Sequence, residues 1–404
     1  MLLEFSVENF RSIKERLTLS MLAAEEETDL EQNLIHTDAY REGAILRSAV
    51  IYGANASGKT NVLRAFEFMV YFIATSHRLQ KGDKLIEVSP FRMDESCANS
   101  PSKFEVIFIH EGMKYAYGLA LDQEQVHEEY LYSFPHGKQQ LIFERKNTTD
   151  YEFGSDHEEQ SLLAKRTLGN ASYLALATQF NYSKANQVFD WFAFQTHPWV
   201  TLYGLPTFHH TVDIMVDDEN SRDMVMGILK SADLGIRDVG INKYEINPRL
   251  PQKYDIRFFR EIIREGIVES FDFKYEEESK GTQRFFNLLG PVVTVLEVGA
   301  LIIADELENS LHPLMMEQIV KLFNDPVHNP HGAQLIFTTH NTNLLDQRLF
   351  RRDQIWFTEK KPETFSTDLY SLCEFVPRQD EDYEAGYLNG RYGAIPFFGK
   401  EFLF

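Results

Sequence analysis

An α/β fold is predicted by three stretches of the sequence. Ala49-Val50-Ile51-Tyr52 is a short β-prone run that ends at Gly53, and beyond it Val62, Leu63, Phe66 and Val70 recur at helical spacing. This order reads strand, glycine loop, helix. Leu301-Ile302-Ile303-Ala304 is apolar without alternation, as in a parallel strand covered on both faces, and it runs into Asp305-Glu306. Between the two, residues 104–109, 114–121, 129–132 and 141–143 are β-rich runs separated by Gly112 and Pro135-His136-Gly137, which predicts an antiparallel meander.

The other elements are placed around these. Leu3, Phe5 and Val7 alternate with Glu4, Ser6 and Glu8, and Leu17, Leu19 and Met21 offer a partner after a turn, so the chain is expected to open with a hairpin. From 158 to about 234 the apolar period becomes helical, as in Tyr173, Leu174, Ala177 and Phe180, without sustained heptads. Strand character returns at 236–246 and 271–275. These changes divide the chain into an N-terminal lobe (1–157), a helical insertion or arm (158–250) and a C-terminal lobe (251–404).

Composition narrows the function classes. With 43% hydrophobic and 25% charged residues, the 404-residue chain fits a compact globular protein and excludes collagen-like and low-complexity classes. Forty basic against 61 acidic residues leave a net charge of −21, so the whole molecule repels nucleic acid and acidic membranes. Any nucleic-acid contact must be local; Lys14, Arg16, Arg47 and Arg64 are the candidate cations, and solvated surface charge explains them equally well. Cys97 and Cys373 stand in no CxxC pattern, which supports neither a disulfide framework nor a cysteine zinc site. Met1-Leu2-Leu3-Glu4 does not read as a secretion signal, and the longest apolar run, 291–304, is interrupted by Glu297 and too short for a bilayer. A cytoplasmic protein without membrane spans is expected.

Gly53-Ala54-Asn55-Ala56-Ser57-Gly58-Lys59-Thr60 matches GxxxxGK[ST], the phosphate loop. Its glycines let backbone N–H groups turn inward, and the helix that begins beside Asn61 points its positive end at the same place. Lys59 is expected on the β/γ oxygens of ATP and the Thr60 hydroxyl on Mg²⁺. Chance matches in a chain this long are on the order of one in a hundred, before strand and helix are required around the loop. At the end of the apolar strand, Asp305 suits the Mg²⁺ shell and Glu306 a general base for the attacking water, although acids after a strand also mark a solvated loop. Glu278-Ser279-Lys280-Gly281-Thr282-Gln283 sets a hydroxyl and a glycine at a helix start, where capping is the ordinary explanation and anion binding the functional one. Gln334-Leu335-Ile336-Phe337-Thr338-Thr339-His340 is a strand ending in a histidine; alone, such a histidine is usually satisfied locally.

In this order the four elements resemble the nucleotide-binding domain of ABC-type and SMC-like ATPases, a P-loop NTPase core carrying here an antiparallel β-subdomain and a helical insertion. The resemblance implies that Ser279, Gly281 and Gln283 form a signature completing the ATP site of a second subunit, that His340 is a switch histidine at the γ-phosphate, and that two chains sandwich two nucleotides. Asn309-Ser310-Leu311-His312-Pro313 is similar to the loop that communicates across such a dimer. The signature departs from the transporter form, with Lys280 and Thr282 between its key residues, and no glutamine loop is evident; Gln80 is a poor candidate.

Asn9-Phe10-Arg11-Ser12, the DELENSLHP stretch of 305–313, Thr338-Thr339-His340-Asn341, Arg352-Asp353-Gln354-Ile355-Trp356 and Gly390-Arg391-Tyr392-Gly393-Ala394-Ile395-Pro396 resemble more narrowly the AAA-annotated, SMC-like ATPases of bacterial abortive-infection operons, the RloA/AbiL type, and the ATPase half of OLD nucleases. That likeness implies an ATPase sensing an invader-associated state in phage defence, a homodimer or higher oligomer, and a separately encoded effector. Two alternatives stand beside it. One is a scaffold that holds an effector and uses ATP for assembly. The other is an ATPase-coupled nuclease on DNA or RNA, which is disfavoured because only 64 residues follow His340 and they carry no metal-spaced carboxylate cluster.

Overall fold

The computed structural model describes residues 1–85, 87–199, 207–232, 234–244, 253–265, 267–308, 311–375 and 382–396. Among these, the framework is a six-stranded sheet in the order Thr196–Trp199, Leu301–Ala304, Gln334–Thr338, Ser48–Gly53, Ile355–Lys360, Thr367–Ser371. Its first five strands are parallel and the last is antiparallel at the edge. The α/β expectation holds, and the glycine-loop strand is interior to the sheet.

Alternate side chains of these strands divide between two cores, as the two-residue strand period requires of a sheet covered on both faces. Ala49, Ile51, Leu301, Ile303 and Ile336 join one core with Val62, Leu63 and Phe66 of the helix Lys59–Thr75. Val50, Tyr52, Ile302, Ala304, Leu335 and Phe337 join the other, which contains Phe285, Leu289 and Val293 of the helix Lys280–Val298 and Met316, Ile319 and Val320 of the helix Pro313–Asn324.

The first core is roofed by an antiparallel sheet whose order is Asp150–Phe153, Gln140–Lys146, Val126–Ser133, Met113–Leu121, Ser102–His110, Leu2–Glu8, Leu17–Ser20. Strand Leu2–Glu8 pairs with both Leu17–Ser20 and Ser102–His110, so the opening hairpin is continuous with the meander. Trp191, on the helix Ser183–Phe194, joins this roof to the phosphate-loop helix. Its ring stacks on Phe108 at 4.0 Å and meets Phe66 edge-on at 6.4 Å, and it is 1% exposed.

The described helices within 158–250, the span expected as a helical insertion or arm, contribute side chains to both cores. Ala185, Val188 and Trp191 bury in the first core, while Val212 and Met215 of Thr207–Asp217 and Val225 and Leu229 of Glu219–Ser231 bury in the second. Between these helices the strand Thr196–Trp199 adds to the six-stranded sheet beside Leu301–Ala304. Four residues interrupted by Pro198 carry no strand signal in the sequence, yet an edge position tolerates proline because one side of the strand needs no ladder donor. The boundary at 250 lies outside the described residues. A three-stranded sheet follows, Asp238–Tyr244, Lys253–Arg264, Ile267–Lys274, whose central strand the sequence reading missed. Among the described residues, no helix is long and apolar enough to cross a membrane.

Trp191→Ala should cost about 3–5 kcal/mol, the usual cost of emptying a large aromatic site. Chemical denaturation should show a lower midpoint at an unchanged slope; an unmoved midpoint would show that the indole does not hold roof and helix together.

Candidate active site

The phosphate loop is shaped by contacts from neighbouring strands. A Cβ on Gly53 would lie 2.5 Å from both Thr358 oxygens, backbone and side chain, and one on Gly58 would lie 2.0 Å from Thr367 Oγ1. Gly58 also has φ of +116°, so a side chain there is excluded by backbone conformation as well as by space. Ala56 takes a left-handed φ of 62° without being glycine, a local strain of the kind that collects at functional loops. Ser57 Oγ shares a 2.6 Å hydrogen bond with Thr358 Oγ1, and Thr367 Oγ1 donates to the Ser57 carbonyl at 2.9 Å. Asn61 Nδ2 donates to Ser12 Oγ at 2.7 Å, and Ser12 Oγ lies 2.7 Å from Thr367 Oγ1. Asn61 therefore braces the loop through the opening hairpin. Ala54 is half-buried, while Asn55 and Ala56 are exposed at the loop's tip.

Lys59 begins the helix and is 6% exposed; its Nζ donates to the carbonyls of Gly53 at 2.7 Å and Ala54 at 3.2 Å. Burial lowers its pKa, against the pull of Asp305, Glu306 and Glu308. An anion in the loop would compete with the two carbonyls for this ammonium.

Asp305 uses both oxygens. Oδ2 accepts from Thr60 Oγ1 at 2.8 Å and Oδ1 from Thr338 Oγ1 at 2.5 Å, so one carboxylate bridges the phosphate-loop helix and the histidine strand. Thr338 Oγ1 in turn accepts the Glu306 N–H at 2.8 Å. Glu306 has a left-handed φ of 46° and its side chain is exposed, so the backbone spends strain to present that carboxylate outward. His340 follows the adjacent strand, and its backbone N–H donates to Glu308 Oε1 at 2.7 Å. Thr60 and Asp305 supply a hydroxyl and a carboxylate 2.8 Å apart, hard oxygen donors that fit a largely hydrated Mg²⁺.

The residues expected to form a signature make local contacts at the start of their helix. Ser279 caps the helix Lys280–Val298, its Oγ accepting the Thr282 N–H at 3.1 Å, and Gly281 sits in the first turn. Gln283 Nε2 donates to the carbonyls of Tyr275 and Glu278, which ties the helix to the preceding turn. Arg260 clamps Glu278 with two hydrogen bonds of 2.5 and 2.9 Å. Among the described residues no hydrogen bond joins Ser279, Gly281 or Gln283 to the phosphate loop. His312 caps the helix Pro313–Asn324, while Asn309 and Ser310 lie outside the described residues. Gln80 belongs to a surface turn, its N–H bonded to Asp83 and its carbonyl to Asn170.

The four cations considered for nucleic acid are largely engaged. Arg47 is 7% exposed and donates to the carbonyls of Leu34 and Asn329, so it is a core residue and not a surface contact. Lys14 pairs with Asp94 at 2.8 Å and Arg16 with Glu105 at 2.5 Å. The sequence reading quoted Ser12 and Glu308 only within longer motif stretches, without a site role, and did not single out Thr358 or Thr367. Glu308 is visible in hindsight as the third acid of Asp305-Glu306-Leu307-Glu308; the two threonines carry no local signal.

Although His340 is exposed at the surface, partial desolvation of its imidazole, and then the Lys59 ammonium, hold it below the ordinary 6.5, with Glu308, Glu306 and Asp305 pulling the other way. It therefore stays neutral at neutral pH and takes a proton only below its ordinary range. NMR titration of the nucleotide-free protein should place its midpoint below 6.5, and Lys59→Met should raise it; a midpoint at or above 6.5 would show that desolvation does not govern this ring.

With this geometry in hand, comparison with known proteins is informative about family. A search of curated proteins returns no match. Among solved structures, the SMC head domain from Thermotoga maritima is similar at 12% identity and a TM-score of 0.43, covering 92% of this chain and 98% of that one. An SMC head bound to the C-winged helix domain of ScpA is similar at 11% identity and 0.42, covering 92% and 97%. Residues 48–346, which contain the phosphate loop, the signature, the acid strand and His340, match the family described as "AAA domain, putative AbiEii toxin, Type IV TA system", and the chain belongs to that AAA family.

Proposed function

We propose that the chain binds and hydrolyses ATP, closes into an ATP-dependent dimer with composite sites, and acts in the cytoplasm as sensor and regulator of a separately encoded effector in bacterial anti-phage defence. The observation that supports this most directly is the meeting of Lys59, Thr60, Asp305, Glu306 and His340 at the C-terminal ends of three adjacent parallel strands, where open α/β sheets take their ligands. Membership of the AAA family supports nucleotide chemistry. The defence setting draws on the whole-chain motif resemblance, with which the toxin wording of the family's description is compatible.

In this reading the N–H groups of the 53–60 loop and the helix N-terminus take the phosphates, and Lys59 exchanges the carbonyls of Gly53 and Ala54 for β/γ oxygens. Thr60 and Asp305 hold Mg²⁺, which when bound supplies charge neutralisation at the phosphates. Glu306 takes a proton from the attacking water, and His340 bonds at the γ-phosphate. Ser279 and Gly281 present a helix N-terminus to the nucleotide of the partner subunit, with Gln283 holding that turn in place. Among the described residues no hydrogen bond ties them to the loop of their own chain, which is compatible with a site shared between two chains. A scaffold using ATP only for assembly draws support from one feature, the hairpin tip where Ile263 is 76% and Ile267 67% exposed.

Glu306→Gln should lower turnover by about 10²–10⁴-fold, the usual worth of a general base, while retaining ATP. Light scattering of this variant should show a doubled mass with Mg-ATP and the monomer mass without it; a mass indifferent to ATP would overturn the composite-site dimer. Lys59→Ala should weaken ATP binding about 10–100-fold, as expected for loss of charge-assisted hydrogen bonds, and calorimetry finding unaltered affinity would remove the loop assignment.

A further inference from the structure

Glu308 stands between the acid strand and the loop that carries His340. One oxygen, Oε1, accepts the His340 backbone N–H at 2.7 Å. The other, Oε2, is buried without a hydrogen-bond partner, and so is the side-chain amide Nδ2 of Asn341, the residue next to His340. Buried polar groups are nearly always paired, so an orphan acceptor and an orphan donor on two loops already joined by a hydrogen bond call for an explanation. The His340–Asn341 segment is also held from the other side, where the Tyr52 hydroxyl donates to the Asn341 carbonyl at 3.1 Å. The backbone around His340 is thus fixed at its N–H by Glu308 and one residue later at its carbonyl by Tyr52. The Glu308 carbonyl also accepts the Leu311 N–H at 2.7 Å.

We propose that Glu308 is a positioning residue, a two-point latch between the acid loop and the histidine loop: Oε1 holds the His340 N–H and Oε2 is the acceptor that the Asn341 amide reaches when the two loops close on nucleotide. The first point of the latch rests on the observed hydrogen bond, and its second point and its consequence rest on the ATPase reading. It acts through His340 and does not touch the reacting atoms.

Hydrogen exchange of the nucleotide-free protein tests the first point of the latch. The His340 amide should exchange about tenfold or more faster in Glu308→Ala, and near the wild-type rate in Glu308→Gln, whose amide oxygen still accepts the N–H. Unchanged exchange in Glu308→Ala would overturn the latch. ATP turnover tests its consequence: Glu308→Ala should lower kcat about tenfold with KM for ATP unchanged, and Glu308→Gln should recover most of the loss. A KM effect with kcat intact, or equal damage in both variants, would show that the charge acts on binding and that Glu308 does not position His340. Asn341→Ala should lower kcat in the wild type and add nothing to Glu308→Ala; additive losses would overturn the second point. Wild-type protein without ATP turnover would sink the ATPase reading while leaving the exchange result to decide the tether.

Discussion

The Asp305 carboxylate is the junction on which the arrangement depends. Its two oxygens accept from Thr60 and Thr338, so a side chain at the end of one strand joins the first turn of the phosphate-loop helix to the neighbouring strand. The bridge is possible because Leu301–Ala304, Gln334–Thr338 and Ser48–Gly53 are adjacent and parallel, with their C-terminal ends on one edge. Hydrogen bonds to a charged acceptor are each worth about 1.5–3 kcal/mol, comparable with a sizeable fraction of a domain's net stability. A group bound between Thr60 and Asp305 would replace one of these bonds, which links occupation of the site to the relation between helix and strand.

A second set of contacts makes the loop's shape a property of the whole chain. Hydroxyls and amides run from Asn61 through Ser12 and Thr367 to the Ser57 carbonyl, and such chains polarise one another. Ser12 and Thr367 are separated by 355 residues, and Ser57 and Thr358 by 301. The loop is therefore not finished when strand, glycines and helix are in place. It is finished when the opening hairpin and the last strand of the sheet have closed on it, and a truncation at either end would remove a wall of the phosphate cradle.

This explains which parts of the site were legible in the sequence. The glycine loop, the apolar strand before Asp305 and the strand before His340 are short-range patterns, each carrying its own period and its own terminal residues, and the sheet that unites them follows from the rule that continuous apolar strands pack in parallel. The meander and hairpin were legible for the same reason. Thr358 and Thr367 were not, because a threonine facing a glycine has no periodicity to betray it, and Ser12, quoted only within Asn9-Phe10-Arg11-Ser12, carried no sign of its contact with Asn61 and Thr367. Thr196–Trp199 was hidden by its length and its proline, and the helices on either side of it looked like an insertion because their partners, Phe66, Phe108 and the signature helix, are distant in sequence. Arg47 shows the opposite error, a cation read as surface that the fold buries against carbonyls.

Electrostatics sets a further constraint on what the loop can hold. Asp305, Glu306 and Glu308 all act on Lys59 and on His340, and His340 stays neutral at neutral pH because partial desolvation and Lys59 oppose its protonation. Three carboxylates thus face one ammonium at the mouth of a chain whose net charge is −21. A triphosphate entering there cannot be held by Lys59 alone. The remaining attraction must come from partial charges that do not titrate, the N–H groups of the loop and the N-terminal end of the helix Lys59–Thr75, worth about half an elementary charge at that end. The loop's backbone keeps the positive φ of Ala56 and Gly58, and Thr367 presses on Gly58 at a distance that no side chain could share. The steric demand for glycine at Gly58 thus fixes the backbone at the helix end where this non-titrating positive charge lies, beside the three acids.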